Sequence, residues 1–228
     1  MKNLISIILI SLVPTSIFAI GGLGLQLGQG SFSVDASSPD TNIDDVTLTN
    51  GAFDGSGVLG GYVYVDLIPF VDIEFDFNIQ GNTYDIEFQN AFGEMPKLNF
   101  GWVSGNTYTT VRKKIVGLSI PFLAGAQLHG GLGINTHSTM PVADLSMVEE
   151  LLGGSLNADP SSLDQALLDY LEDDDNRVDA SGFHFQTGLQ FKLLMIDTFL
   201  IYRHTFVDDV IPGANSFGTL NMRLGLGI

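Results

Sequence analysis

The chain has 228 residues, a formal net charge of −17, 27 glycines, no cysteine and only 15% charged residues. Its length suits one β domain of ordinary size, and the missing cysteines exclude disulfides and a lipid-modified cysteine anchor. The acidic balance excludes nucleic acid as a partner, because phosphate binding needs a basic surface, and no later run of 18 apolar residues offers a spanning helix.

The chain opens MKNLISIILISLVPTSIFA. A basic Lys2, an apolar run from Leu4 to Val13 and short side chains from Ser16 to Ala19 form a secretory signal pattern. Cleavage after Ala19 would leave residues 20–228 as the exported domain; an uncleaved anchor is the alternative. Eight alternating segments follow. They run approximately over residues 20–32, 56–67, 71–82, 106–120, 124–137, 181–193, 198–207 and 216–228. Tight links, IPF, PFLA and LMID, join the second to the third, the fourth to the fifth and the sixth to the seventh. Longer links, Ser33–Gly55, Thr83–Gly105, Thr139–Ala180 and a shorter Asp208–Asn215, separate the others. A Gly-rich, weakly charged, exported chain of this kind is either a soluble sandwich or lipocalin-like barrel, or a membrane-spanning β-barrel. The sorting of short and long links favours the membrane barrel, whose turns are short on one side and long on the other.

The faces agree in sign. The third segment, VDIEFDFNIQ, places Val71, Ile73, Phe75, Phe77 and Ile79 on one face and Asp72, Glu74, Asp76, Asn78 and Gln80 on the other. The fifth alternates Leu128, Leu132 and Ile134 with Gln127, His129 and Asn135. The sixth alternates Phe183, Phe185, Leu189 and Phe191 with His184, Gln186, Gln190 and Lys192. The last alternates Leu220, Met222, Leu224 and Leu226 with Thr219, Asn221 and Arg223. Uncharged apolar faces against polar ones fit lipid outside and a polar lumen inside. The fourth segment breaks the pattern at the consecutive Arg112, Lys113 and Lys114, which calls for a bulge or a membrane boundary near Ile115.

On these features the chain resembles the small eight-stranded outer-membrane barrels of the OmpA-transmembrane-domain, OmpX and OmpW type. The resemblance covers nearly all of residues 20–228 and is architectural. It departs from the family at the end of the last strand, where Ile228 replaces the usual aromatic residue. It implies an all-β, antiparallel up-and-down barrel in the bacterial outer membrane. It also implies lipid and the barrel-assembly machinery as partners.

The acids of VDIEFDFNIQ then point into the lumen. Asp66, Asp72, Glu74 and Asp76 are expected to meet Arg112, Lys192, Arg203 and Arg223 there. Counting from the tight turns sets Glu74 and Asp76 level with Arg203 and Arg223, and Asp66 and Asp72 nearer Lys192. An eight-stranded barrel is only wide enough for side chains to fill, so this charge set reads as a plug, with a narrow polar pathway as the functional alternative. His129 and His184 join the same lumen, as satisfied side chains or as a metal pair.

The Thr139–Ala180 loop carries eleven acids against Arg177. Asp159-Pro160 is an N-cap followed by an N1 proline, and Leu163, Ala166, Leu167, Tyr170 and Leu171 recur at helical spacing. A helix over Pro160–Leu171 is expected, with LSMVEELL as a second, capping the barrel mouth. LEDDDNRVDASG lacks the glycine and closing glutamate of an EF-hand. Glu172, Asp173, Asp174, Asp175 and Asp179 are a candidate weak Ca²⁺ site, with a solvated acidic surface as the alternative. His137-Ser138 suggests a nucleophile and base, but neighbours on a strand diverge. The expected function is structural or surface-interacting, with no enzymatic activity; a narrow porin or apolar-solute carrier is second and a lipid-modifying enzyme third.

Overall fold

The computed structural model describes residues 21–39, 45–68, 71–120 and 123–227, apart from the side chains at 67, 68 and 174. The expected signal segment and Ile228 lie outside the described residues. The strands are β1 (Gly21–Val34), β2 (Thr47–Asn50), β3 (Phe53–Ile68), β4 (Val71–Asn90), β5 (Gly93–Glu94), β6 (Leu98–Ile120), β7 (Ala124–Thr139), β8 (Val178–Leu193), β9 (Ile196–Ile211) and β10 (Ala214–Gly227). Two helices, α1 (Leu145–Leu151) and α2 (Leu163–Glu172), interrupt the connection from β7 to β8.

β1, β3, β4, β6, β7, β8, β9 and β10 pair antiparallel in that order, and β10 returns to β1, with Gln26 opposite Arg223. Closure leaves the eight strands no open edge. β2 and β5 are short additions to the upper part of β4. The outer surface is apolar: Leu25, Phe77, Leu132, Phe183, Leu189 and Leu224 are all exposed there. On β8 this surface runs from Phe183 to Leu193. That is roughly 33 Å along the strand, or about 25 Å after a ~40° tilt, the height of a lipid-facing band. The inner surface takes the alternate residues, so the orientation is that of a membrane barrel and not of a soluble one.

The bulge expected in β6 is present. The β6–β7 register shifts between Lys114 and Val116, so that Ile115 and Val116 both face outward while Arg112 is buried inside. Three of the four long links are shorter than expected. Thr83–Gly105 is mostly strand, because β4 continues to Asn90 and β6 begins at Leu98. Asp208–Asn215 reduces to Pro212 and Gly213 between β9 and β10, with Gly213 at φ 75° supplying the left-handed turn position. Ser33–Gly55 contains β2 and the ends of β1 and β3.

These extensions have one physical cause. Above the membrane the alternation persists but its chemistry reverses. On β4, Glu74, Asp76, Asn78 and Gln80 face inward and Phe75, Phe77 and Ile79 outward; higher up, Tyr84, Ile86 and Phe88 face inward and Glu87 and Gln89 outward. On β6, Phe100 and Trp102 are buried above Ser104, Asn106 and Thr110. The upper strands therefore behave as a sheet in water, with an oily inner face.

Both helices pack on that face. Asp144 caps α1 by accepting from Met147 N at 2.8 Å, and Asp159 accepts from Ser161 N at 3.0 Å in the turn preceding α2. Met147, Val148, Leu163 and Leu167 are buried against Leu48, Ile86, Phe88, Phe100 and Trp102. The result is a small core seated on the barrel mouth.

Candidate functional site

The lumen is the candidate site, and it is layered. At mid-height, Glu74, on β4, is fully buried, with Asp76 beside it. Arg112 comes from β6, Arg203 from β9 and Arg223 from β10. Arg112 Nη1 donates to Glu74 Oε2 at 3.1 Å and Nη2 to Asp72 Oδ2 at 2.8 Å. Arg223 Nη2 donates to Asp76 Oδ1 at 2.6 Å, while its Nη1 lies 2.9 Å from Glu74 Oε1 as an ion pair without hydrogen-bond alignment. Arg203 Nη2 donates to Asp76 Oδ2. Three arginines thus face three carboxylates, and formal charge cancels within the layer.

Neutral groups complete it. Gln186 Nε2 donates to Glu74 Oε1 at 2.8 Å and its Oε1 accepts from Arg203 Nε at 3.0 Å; Gln26 Oε1 accepts from Arg223 Nε at 2.9 Å. Each guanidinium also lies over a ring: Arg203 over Tyr108 at 4.0 Å, Arg112 over Tyr64 at 4.7 Å and Arg223 over Tyr62 at 4.8 Å. Glycines make room for these side chains. A Cβ at Gly225 would meet the Tyr62 hydroxyl, and one at Gly133 the His184 ring.

Below this layer, Tyr62, Tyr64 and Phe199 form an aromatic ceiling, with ring centroids 5.5–6.5 Å apart. Asp197 is fully buried here and accepts from Tyr64 Oη at 2.6 Å and Gln190 Nε2 at 3.0 Å. Beneath the ceiling a cavity of about 390 Å³ opens at the end with the short turns. Above the charge layer lies a belt of Asn78, Ser104, Asn106, Asn135, His137 and Thr139. Asn106 Nδ2 donates to Asn78 Oδ1 at 3.0 Å. The apolar core closes the top.

The expected site residues fall into separate groups. Asp72, Glu74, Asp76, Arg112, Arg203 and Arg223 come together. Asp66 and Lys192 stay at the lower cavity. Asp72 meets Arg112, directly opposite it in the β4–β6 register, and not Lys192 as the count from the turns expected. His129 and His184 point into the lumen with separate partners, Gln190 Oε1 at 3.1 Å and Thr110 Oγ1 at 2.9 Å. His137 turns inward to Asn135 Oδ1 at 2.9 Å and Ser138 takes the other face, so the two do not form a catalytic pair. In the acidic loop, Glu172, Asp173, Asp175 and Asp179 are exposed, and Asp173 Oδ1 accepts from Asp175 N at 3.0 Å. Among the described residues no three acids or histidines converge as metal ligands.

Asp197, Gln26 and the three tyrosines were not singled out in the sequence, and Gln186 was placed on the polar face of its segment without a role. Asp197 had a usable cue: it lies two residues after the LM turn and shares parity with Arg203.

No family profile matches the chain, and no curated protein is significantly similar to it. Several solved structures are similar in fold. Neisserial surface protein A matches with a TM-score of 0.43 and 12% identity over 91% of this chain and 96% of that one. The N-terminal β-barrel domain of Pseudomonas aeruginosa OprF matches with a TM-score of 0.39 and 7% identity over 90% and 98%. Ail, the attachment invasion locus protein of Yersinia pestis, matches with a TM-score of 0.36 and 11% identity over 90% and 97%.

Proposed function

We propose that this chain is an integral outer-membrane barrel with a closed lumen, which holds a folded acidic cap at the cell surface as an envelope-structural or surface-interacting element. The carrying observation is the buried layer of Glu74, Asp76, Arg112, Arg203 and Arg223, which joins β4, β6, β9 and β10 across the bore. Moving an ion along the axis would mean breaking buried charge pairs, at about 3–5 kcal/mol per lost partner. The apolar core above it is a second barrier to ions. The cap is the part of the molecule that a partner outside the membrane would meet, and Lys97 and Arg177 are the only bases among its many acids.

The test is conductance of the refolded protein in planar bilayers. Heat-modified gel mobility serves as the check that the barrel has formed. A silent membrane at both polarities is the expected result. Steady, resolved unitary currents would replace this reading with that of a narrow porin.

A further inference from the structure

We propose that the lower cavity is a binding site for a phosphate-bearing anion that enters from the side of the short turns. This goes beyond the closed-barrel reading and does not depend on it, since the cavity is a dead end below the aromatic ceiling.

The argument starts from where the bases lie. The whole chain has nine lysines and arginines, and four of them, Arg112, Lys113, Lys114 and Lys192, line this one cavity. Arg112 is committed to Asp72 and Glu74. Lys113 shares the outward parity of Val111, Lys114 and Lys192 share the inward parity of Arg112 and Gln190, and the remaining carboxylate of the lining is Asp66, so two inward lysines face one acid. Asp197, opposite Lys192 in the β8–β9 register, is buried in the ceiling, where its two oxygens accept from Tyr64 and Gln190. A chain of net charge −17 therefore keeps a locally positive mouth in a low-dielectric wall, which concentrates anions.

Local structure builds this mouth. The bulge after Lys114 sends Ile115 and Val116 outward and returns Gly117 and Ser119 to the cavity wall. Gly125 stands opposite Lys192 in the β7–β8 register, so β7 sets no side chain against the stem of that lysine. Gln127 and Gln190 line the wall as a bonded pair, Gln127 Nε2 donating to Gln190 Oε1 while Gln190 Nε2 donates to Asp197. A volume of about 390 Å³ lies within the range of small-ligand sites.

Phosphate chemistry can come from a free phosphorylated compound or from the headgroup of an anionic phospholipid in the adjoining leaflet. The experiment separates them. Protein is reconstituted in phosphatidylcholine nanodiscs and titrated with inorganic pyrophosphate by calorimetry, then reconstituted with a phosphatidylglycerol mixture and assayed for lipid enrichment around the barrel. Lys114→Gln with Lys192→Gln should weaken the interaction at least tenfold, Lys97→Gln should leave it unchanged, and Asp66→Asn should tighten it several-fold. The Asp66→Asn gain cannot arise from misfolding, which keeps the test decisive if the double variant fails to fold. Pyrophosphate binding with this variant pattern identifies a free anion. Phosphatidylglycerol enrichment with the same pattern, without pyrophosphate binding, identifies a headgroup. No interaction with either, or one indifferent to Lys114, Lys192 and Asp66, overturns the proposal.

Discussion

The lower and upper halves of β4 are the same strand with the same alternation and opposite chemistry. Below Gly81, the even-numbered residues Glu74, Asp76, Asn78 and Gln80 are enclosed and Phe75, Phe77 and Ile79 are exposed; above it, Tyr84, Ile86 and Phe88 are enclosed and Glu87 is exposed. Backbone geometry fixes only which residues share a face. What lies outside decides which face is oily. In lipid the outward residues must be apolar, and the enclosed space is left to polar groups that satisfy each other. In water the ordinary rule returns, and the enclosed residues become a hydrophobic core.

The two interiors are also held together differently. In the bore, three arginines and three carboxylates cancel, an arrangement that is costly to form and costlier to interrupt. In the cap, Leu48, Ile86, Phe100, Leu163 and Leu167 gain from burial itself. Tyr84 places a hydroxyl deep in this core, where it accepts from Ala143 N at 3.0 Å, and burial pushes its pKa up to about 12, so it stays protonated at neutral pH.

The contrast can be broken most severely in the bore. Arg223→Ala leaves Glu74 and Asp76 each short of a cation and is expected to cost about 3–5 kcal/mol, read as a lower temperature for loss of the heat-modified gel form. Replacing Arg223 with Met together with Glu74→Gln should recover part of that loss. A single variant as stable as wild type would show that the layer carries no charge-pairing role.

In the cap, Leu167→Ala removes a fully buried side chain and should cost roughly 2–5 kcal/mol of local stability. Proteolysis between 140 and 177 should then accelerate, while the barrel's gel mobility stays unchanged. Parallel loss of both would mean that cap and barrel unfold as one unit. The sign reversal itself is sharpened by paired charges on one strand face. Phe77→Arg should destabilise the inserted barrel by about 2–4 kcal/mol, whereas Glu87→Arg should stay within roughly 0.5 kcal/mol.

The smallest effect is expected at the surface of the cap. Lys97 Nζ lies 3.0 Å from Asp85 Oδ2 and 3.3 Å from Glu87 Oε1, all exposed. Hydrogen bonds from Lys97 and Asn99 hold the Asp85 carboxyl below the usual carboxylate range. A depressed carboxylate pKa stabilises the fold at neutral pH, and that contribution fades as pH falls through the lowered value. Lys97→Ala should therefore alter loop proteolysis slightly at pH 7 and not at all in acid.

Much of this was legible from alternation. Eight spans, their lipid faces, the inward acids of VDIEFDFNIQ and both loop helices follow from period and capping residues alone. The cap strands were missed because Asp85 and Glu87 occupy outward positions, where a membrane strand would carry apolar residues. Read for alternation without a fixed sign, NTYDIEFQN is as regular as the stretch before it. The tight Pro212-Gly213 turn was hidden differently. The β9–β10 register shifts between Ala214 and Ser216, and Asp209 has φ 63°, so the period fails locally around Asp208 and Asp209. The partner of Asp72 was also beyond counting from the turns, because β6 runs on to Ile120 beyond its last pairing with β4, Asp72 with Arg112, and carries a bulge after Lys114. The aromatic ceiling was missed because Phe199 and Ile201 are apolar residues facing a lumen expected to be polar.

The most direct test of the reversal is a single-cysteine scan of outward positions on β4 in reconstituted bilayers, with a lipid-soluble probe and a membrane-impermeant one. Phe75→Cys, Phe77→Cys and Ile79→Cys should react with the lipid-soluble probe, and Asp85→Cys, Glu87→Cys and Gln89→Cys with the aqueous one. The change should fall between residues 81 and 83. One environment along the whole strand, or aqueous labelling at Phe77→Cys with lipid labelling at Glu87→Cys, would contradict the account.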